Sequence, residues 1–168
     1  MTIFIRAPEL ADETAFIQAS LRSETLHHPW TSAPKTHEAY QAYLSSFSQP
    51  SNKSFLVMSR TNEILGVFNL SEIVRGCFQN SYLGYYAFSG QEGKGYMSQG
   101  MKLVLDYAFN VLALHRVEAN IQPGNVRSIY LVQKNGFRKE GYSLRYLKIN
   151  DEWRDHERWA LTAEEWKR

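Results

Sequence analysis

Apolar and polar positions change period several times along this chain, and each change predicts an element. Ile3-Phe4-Ile5-Arg6 is a short strand, closed by Ala7-Pro8. Leu10, Thr14, Ile17 and Leu21 then recur at helical spacing. Pro8 suits the first turn of that helix, and Glu9, Asp12 and Glu13 suit its positive end. His27-His28-Pro29-Trp30 interrupts the pattern. A second helix starts at Thr36, with Ala39, Tyr40, Tyr43, Leu44 and Phe47 on one face. The apolar runs 55–58 and 64–70 read as a hairpin around Arg60-Thr61-Asn62-Glu63, and a tyrosine-rich strand follows at about 82–88.

The clearest helix carries Met97, Met101, Val104, Leu105, Ala108 and Leu112. Strict alternation over 116–121 predicts a strand. Asn125 is placed to cap a helix that runs to about Asn135, where Gly136 stops it. Two strands near 137–147 and 153–161 turn at Asn150-Asp151. The order βαα, βββ, α, β, α, ββ predicts one mixed α/β sheet domain over residues 1–168.

Composition narrows the function classes. A chain of 168 residues is long enough for one core without metal or disulfide staples. Nineteen Lys and Arg against 17 Asp and Glu give +2, no broad footprint for nucleic acid. One cysteine excludes an intramolecular disulfide and a Cys-rich zinc site, so no metal is expected. No apolar run approaches a membrane span, and Met1-Thr2-Ile3-Phe4-Ile5-Arg6 is no signal peptide. A cytoplasmic protein with no membrane partner is the expectation.

The candidate chemistry starts at Gly93-Lys94-Gly95-Tyr96-Met97-Ser98, between a strand and the strongest helix. Glycines there allow close backbone approach, and the free N–H groups of the helix's first turn suit a phosphate. A structural turn explains the same residues equally well. A P-loop is excluded, since no Lys-Ser/Thr follows the glycines at its spacing. A dinucleotide fingerprint is disfavoured by Ser98, where it needs glycine, and by the three antiparallel-looking strands upstream.

Glu92-Gly93-Lys94-Gly95-Tyr96-Met97 resembles the pyrophosphate loop of the GNAT family of N-acetyltransferases. Pro123-Gly124-Asn125-Val126-Arg127-Ser128 and Lys134-Asn135-Gly136-Phe137-Arg138-Lys139-Glu140-Gly141 are similar to that family's second cofactor segment. Ile73-Val74-Arg75-Gly76, Tyr82-Leu83-Gly84-Tyr85, Leu114-His115-Arg116 and Trp153-Arg154-Asp155-His156 resemble one branch, the ribosomal-protein N-terminal alanine acetyltransferases. The resemblance is densest over residues 66–161. Glu92 departs from the usual Gln or Arg, and Met97 from the usual small residue.

The resemblance implies a central, mostly antiparallel sheet of about seven strands flanked by about four helices. It also implies direct acetyl transfer from acetyl-CoA to an amine. The amides from Gly93 through Lys94, Gly95, Tyr96 and Met97 to Ser98 would hold the pyrophosphate. The backbone of Tyr85, Tyr86, Ala87 and Phe88 would pair with the pantetheine arm, with Asn125 beside it. Asn125 also reads as a plain N-cap, and the two roles coexist.

An amine must be neutral to attack, and a protein N-terminus with a pKa of about 7.7–8.0 is mostly protonated at pH 7. Glu72 is the candidate base, set against its reading as a solvated turn residue. His27 and His28 are candidates for lining the acceptor pocket, set against surface and capping roles. Ser128, one turn past Asn125, is the candidate to protonate the departing thiolate, favoured over Tyr130. Arg145, Lys148, Arg154, Arg158, Lys167 and Arg168 form a basic group that is ordinarily solvated surface. The implied acceptor is a protein N-terminus, possibly ribosomal, approached through an open cleft shaped by residues 24–30 and the final strand pair. A small amine (polyamine, amino acid or aminoglycoside) and a non-catalytic acetyl-CoA-binding module are the alternatives, on a monomer or homodimer.

Overall fold

These stretches form seven strands in one sheet, with six α-helices, in a computed structural model that describes residues 2–166. Met1, Lys167 and Arg168 lie outside the described residues. In chain order the elements are β1 (Ile3–Arg6), α1 (Glu13–Arg22), α2 (Glu24–His27), α3 (His37–Phe47), β2 (Lys53–Ser59), β3 (Ile64–Val74) and β4 (Asn80–Ala87). Then come α4 (Tyr96–Asp106), β5 (Arg116–Ile121), α5 (Val126–Lys134), β6 (Arg138–Ile149), β7 (Glu152–Thr162) and α6 (Ala163–Trp166). The sheet order is β1-β2-β3-β4-β5-β7-β6, antiparallel except where β4 meets β5. The expected fold class is the observed one. The four helices of nine residues or more are α1, α3, α4 and α5.

Local departures have local causes. The predicted first helix begins as a 3-10 turn, Leu10–Asp12, because Asp12 is engaged elsewhere. Its carboxylate accepts from Arg6 at 2.6 and 2.7 Å and from the Glu9 N–H at 2.8 Å. Burial raises the Asp12 pKa, but these hydrogen bonds outweigh it and hold the carboxyl below its usual range. The clearest helix runs to the predicted end, with its last turn widened into a π turn, Tyr107–Val111. β3 continues past its apolar run to Val74, and a bulge between Ser71 and Val74 puts Glu72 at φ +52°.

Apolar residues cover both faces of the sheet. On one face α4 and α5 bury Met101, Val104, Leu105 and Val132 against Val57, Phe68, Val117 and Ala119. Each fully buried large side chain there contributes about 1.5–3 kcal/mol. On the other face α1 and α3 bury Phe16, Tyr40 and Tyr43 against Leu56, Met58 and Val67. This second cluster stops at β4 and takes no residue from β5, β6 or β7.

The feature that positions the site is a short pairing. β4 and β5 are matched only at Asn80↔Arg116, Ser81↔Val117 and Tyr82↔Glu118. Beyond Tyr82 the strands part, and the sheet opens into a gap.

Candidate active site

One wall of the gap is the free edge of β4. Val67 pairs with Tyr86, and the Phe88 N–H donates to the Leu65 carbonyl at 3.0 Å. By the alternation of an antiparallel ladder, Tyr85 and Ala87 therefore turn their backbone groups away from β3, into the gap. One of these groups is already used: His27 Nε2–H donates to the Ala87 carbonyl at 2.8 Å. Burial lowers the His27 pKa, which keeps the ring neutral near pH 7.

At the far end of this edge stands the glycine loop. Gly95 is the residue before α4 and has φ +80°, while Gly93 has φ +73°. Both lie in the left-handed region that side chains disfavour. A Cβ on either would meet nothing within 4 Å, so open space faces the first turn of α4. That turn offers the N–H groups of a helix start and a positive dipole end.

The opposite wall is α5. Asn125 Oδ1 accepts from the Ser128 N–H at 3.2 Å, the predicted cap. Asn125 Nδ2 has no partner among the described residues and is left to donate. Ser128 Oγ lies 2.6 Å from Tyr85 Oη, and the same tyrosine hydroxyl is 3.3 Å from the Ser128 carbonyl. Burial raises the Tyr85 pKa, so this phenol keeps its proton. Tyr130 lines the same wall but is 64% exposed, and the hydroxyl that Ser128 Oγ meets is that of Tyr85.

Together these walls enclose a cleft of about 980 Å³. Among the residues expected at the cofactor, Tyr85, Tyr86, Ala87, Gly93, Gly95, Met97, Ser98 and Asn125 line it, and so do Ser128 and Tyr130. Phe88 does not: its side chain is in the α1/α3 cluster and its N–H faces β3. Tyr96 points into the α4/α5 core, and Lys94 reaches Gln91 Oε1 at 3.4 Å. Glu72 does not line the cleft either. The bulge turns it to an exposed position, where its charge is felt at Tyr82, while its N–H donates to Asn52 Oδ1 at 3.2 Å.

Sequence reasoning missed Arg127 and Lys134, which line the cleft from α5 and take part in no ion pair among the described residues. Their signal was two cations flanking Ser128 on a short helix. It also missed the Tyr85 hydroxyl. His27, His28 and Trp30 line the cleft as well, and Gly124 leaves room for the Trp30 ring, which would sit 3.1 Å from a Cβ there. A smaller cavity of about 440 Å³ adjoins it along Thr25, His27, His28 and Thr31. Asn150, in the turn of the final strand pair, closes on this segment by donating to the Pro29 carbonyl at 3.2 Å. Among the described residues no group of His, Cys, Asp and Glu is placed to hold a metal, and no helix is long and apolar enough to cross a membrane.

A family model described as an acetyltransferase (GNAT) domain matches residues 2–138. An Escherichia coli (strain K12) [ribosomal protein uS5]-alanine N-acetyltransferase is 43% identical over 104 residues, 62% of this chain and 54% of that protein. The chain spans little more than half the length of the curated relatives it first matches. A Mycobacterium smegmatis RimJ structure in complex with CoA-disulfide superposes with a TM-score of 0.90 at 25% identity, covering 97% of this chain and 83% of that one. A Vibrio cholerae spermidine N-acetyltransferase in complex with CoA and spermine shares the fold, with a TM-score of 0.83 at 18% identity over 98% and 97% of the two chains.

Proposed function

Because the chain belongs to the acetyltransferase (GNAT) domain family, we propose that it transfers an acetyl group from acetyl-CoA to the α-amine of a protein N-terminus. The observation that carries this reading is the gap between β4 and β5, with the α4 N-terminus at one end and the Tyr85–Ser128 pair on its wall. Acetyl-CoA supplies the acetyl group as a thioester, at whose carbonyl the N–C bond forms while the C–S bond breaks and leaves its electron pair on sulfur.

The chain's own groups divide the remaining work. The first-turn N–H groups of α4 hold the pyrophosphate, in the space that Gly93 and Gly95 leave open. Arg127 and Lys134 add positive charge on the facing helix. Tyr85 and Ala87 present backbone N–H groups to the amides of the arm, with Asn125 Nδ2 beside them. Since His27 occupies the Ala87 carbonyl, the Tyr85 carbonyl is the acceptor left on this edge. Running from the α4 end past Ala87 to Tyr85, the arm brings its sulfur to Ser128 Oγ. The 2.6 Å contact allows Tyr85 Oη–H to be the donor to Ser128 Oγ, and in that arrangement the serine proton is free for the sulfur. Tyr130, without that support, is the lesser candidate. Glu72 lies outside the cleft, so the amine gives its proton first to water on the Tyr82 side, with the Glu72 carboxylate as the onward acceptor.

The protein-N-terminus reading is favoured over a polyamine by the 43% identity to an alanine N-acetyltransferase, against 22% to a spermidine N(1)-acetyltransferase. Thiol release with a peptide that begins with alanine tests it. Blocking the peptide's α-amine while leaving its lysines free is expected to stop the reaction. Continued acetylation of the blocked peptide, or a strong preference for spermidine, overturns the acceptor.

A further inference from the structure

The smaller cavity, of about 440 Å³, is a second arm of the site. It meets the cleft along Thr25, His27, His28 and Thr31, and Asn150 of the final hairpin lines it too. Apart from its two histidines, the charged residues that line it are Glu24 and Lys35. They hold each other: Lys35 Nζ donates to Glu24 Oε1. The side chains are 38% exposed at Lys35 and 58% at Glu24, so a ligand entering the cavity can reach the pair.

Local structure sets this pair beside the reaction path. Glu24 is the first residue of α2 and His27 the last. The chain then returns through residues 28–35, with Ala33 buried, before Thr36 caps α3 by accepting from the Ala39 N–H at 3.2 Å. That return brings Lys35 back to the start of α2. At the other end of α2, the His27 ring donates to the Ala87 carbonyl and also feels the Lys35 charge. The pair is therefore within electrostatic reach of the β4 edge on which the cofactor arm is placed.

The carboxylates that line the two cavities, among the described residues, are Glu24 and Glu92. Glu92 belongs to the glycine loop, at the cofactor end. On the acceptor side this leaves Glu24, which Lys35 neutralises. A polyamine carries ammonium groups besides the one that reacts, and each is costly to take from water without an anion to meet it. A peptide that begins with small residues brings no second cation, and the hydroxyls of Thr25, Thr31 and Ser32 offer it neutral polar partners.

We propose that Lys35 is a specificity-determining residue: by occupying Glu24 it denies the acceptor cavity a free carboxylate, and so selects against polyamines in favour of a peptide N-terminus. This deepens the reading above and rests on it. Discrimination of this kind works by leaving the wrong partner's charge unpaired.

The test uses spermidine and an alanine-initiated peptide without lysine, each as acceptor, with spermidine also as competitor of the peptide. In Lys35→Gln the kcat/KM ratio, and the inhibition by spermidine, are expected to move toward spermidine by about 2- to 5-fold, the worth of a partly exposed ion pair. Lys35→Glu, which places two carboxylates in the cavity, is expected to move them further. High salt is expected to erase the gain, because it screens exposed charges. The gain is also expected to vanish when Glu24→Gln is added to Lys35→Gln. Acetyl-CoA binding is expected to be the same in all of these, since neither residue lines the cleft. Wild-type ratios in both single variants, or a gain that survives the loss of Glu24, overturn the inference and leave the peptide acceptor standing. A wild type that uses a small neutral amine in place of the peptide, with the same Lys35 effects on spermidine, overturns the protein acceptor alone. Wild-type preference for spermidine, or absence of transfer to any amine, overturns both.

Discussion

Tyr85 Oη and Ser128 Oγ meet at 2.6 Å, although 43 residues separate them, and the meeting joins the free edge of β4 to the first turn of α5. The buried phenol keeps its proton and orients the serine hydroxyl. Ser128→Ala is therefore expected to lower kcat about 10- to 100-fold with acetyl-CoA affinity near normal, because a proton on sulfur matters at the transition state. Tyr85→Phe is expected to lower kcat less, since Ser128 keeps its own proton but loses its orienting donor. Steady-state kinetics with separate measurement of acetyl-CoA binding checks this. A Tyr130→Phe enzyme with the Ser128→Ala phenotype would reverse the assignment.

Gly95 is where the proposed cofactor loop can be tested. Its left-handed backbone costs a non-glycine residue about 1–2 kcal/mol, and the open space beside it tolerates a side chain. Gly95→Glu is expected to fold with slightly lower stability. Its carboxylate would occupy the space in front of the α4 N–H groups and repel phosphate. Acetyl-CoA is expected to raise the melting temperature of the wild type by mass action and to produce no rise in this variant. A normal shift would remove the loop from the cofactor site.

The role proposed for Glu72 runs through water near Tyr82. Glu72→Gln is expected to move the rising limb of the pH–rate profile without altering acetyl-CoA binding. The residue is exposed, and its charge is not required by any ion pair among the described residues, so stability is expected to stay within about 0.5 kcal/mol of wild type. An unchanged profile assigns the proton to bulk water.

Glu140 gives the fold an acid limb. Arg116, first, and Arg138 hydrogen-bond its carboxylate and hold the pKa at about 2, against the ordinary 4.5. A carboxylate with a depressed folded pKa stabilises above its unfolded value and loses that contribution as pH falls. The loss belongs to the window from pH 4.5 down to about 2. Solvent exposure of the pair keeps it to about 1 kcal/mol or less. Glu140→Gln is expected to flatten the decline in melting temperature across that window, with little change in its slope at neutral pH.

Much of this architecture was legible without coordinates, because it is encoded at short range. Alternation over 116–121 gives β5 its bounds, since a strand buried on one face has period two. The Asn125 cap and Ser128 one turn later follow from the geometry of a helix start. The glycines at 93 and 95 mark a left-handed turn wherever they occur. What sequence could not supply is which residues meet once the sheet closes. The alternation that defines β4 does not say that its pairing with β5 ends at Tyr82, yet that ending makes the cleft. Glu72 looks like a strand-end carboxylate aimed at the site, and a bulge, which depends on register with β4, turns it away from the cleft. Phe88 looks like one more residue of the free edge, and ladder phase assigns its N–H to β3. Tyr85 with Ser128, and Asn120 with Arg158, are pairings between distant segments. Local periodicity is set by backbone geometry over a few residues, whereas such pairings are set by register and packing across the whole sheet, which only the folded chain determines.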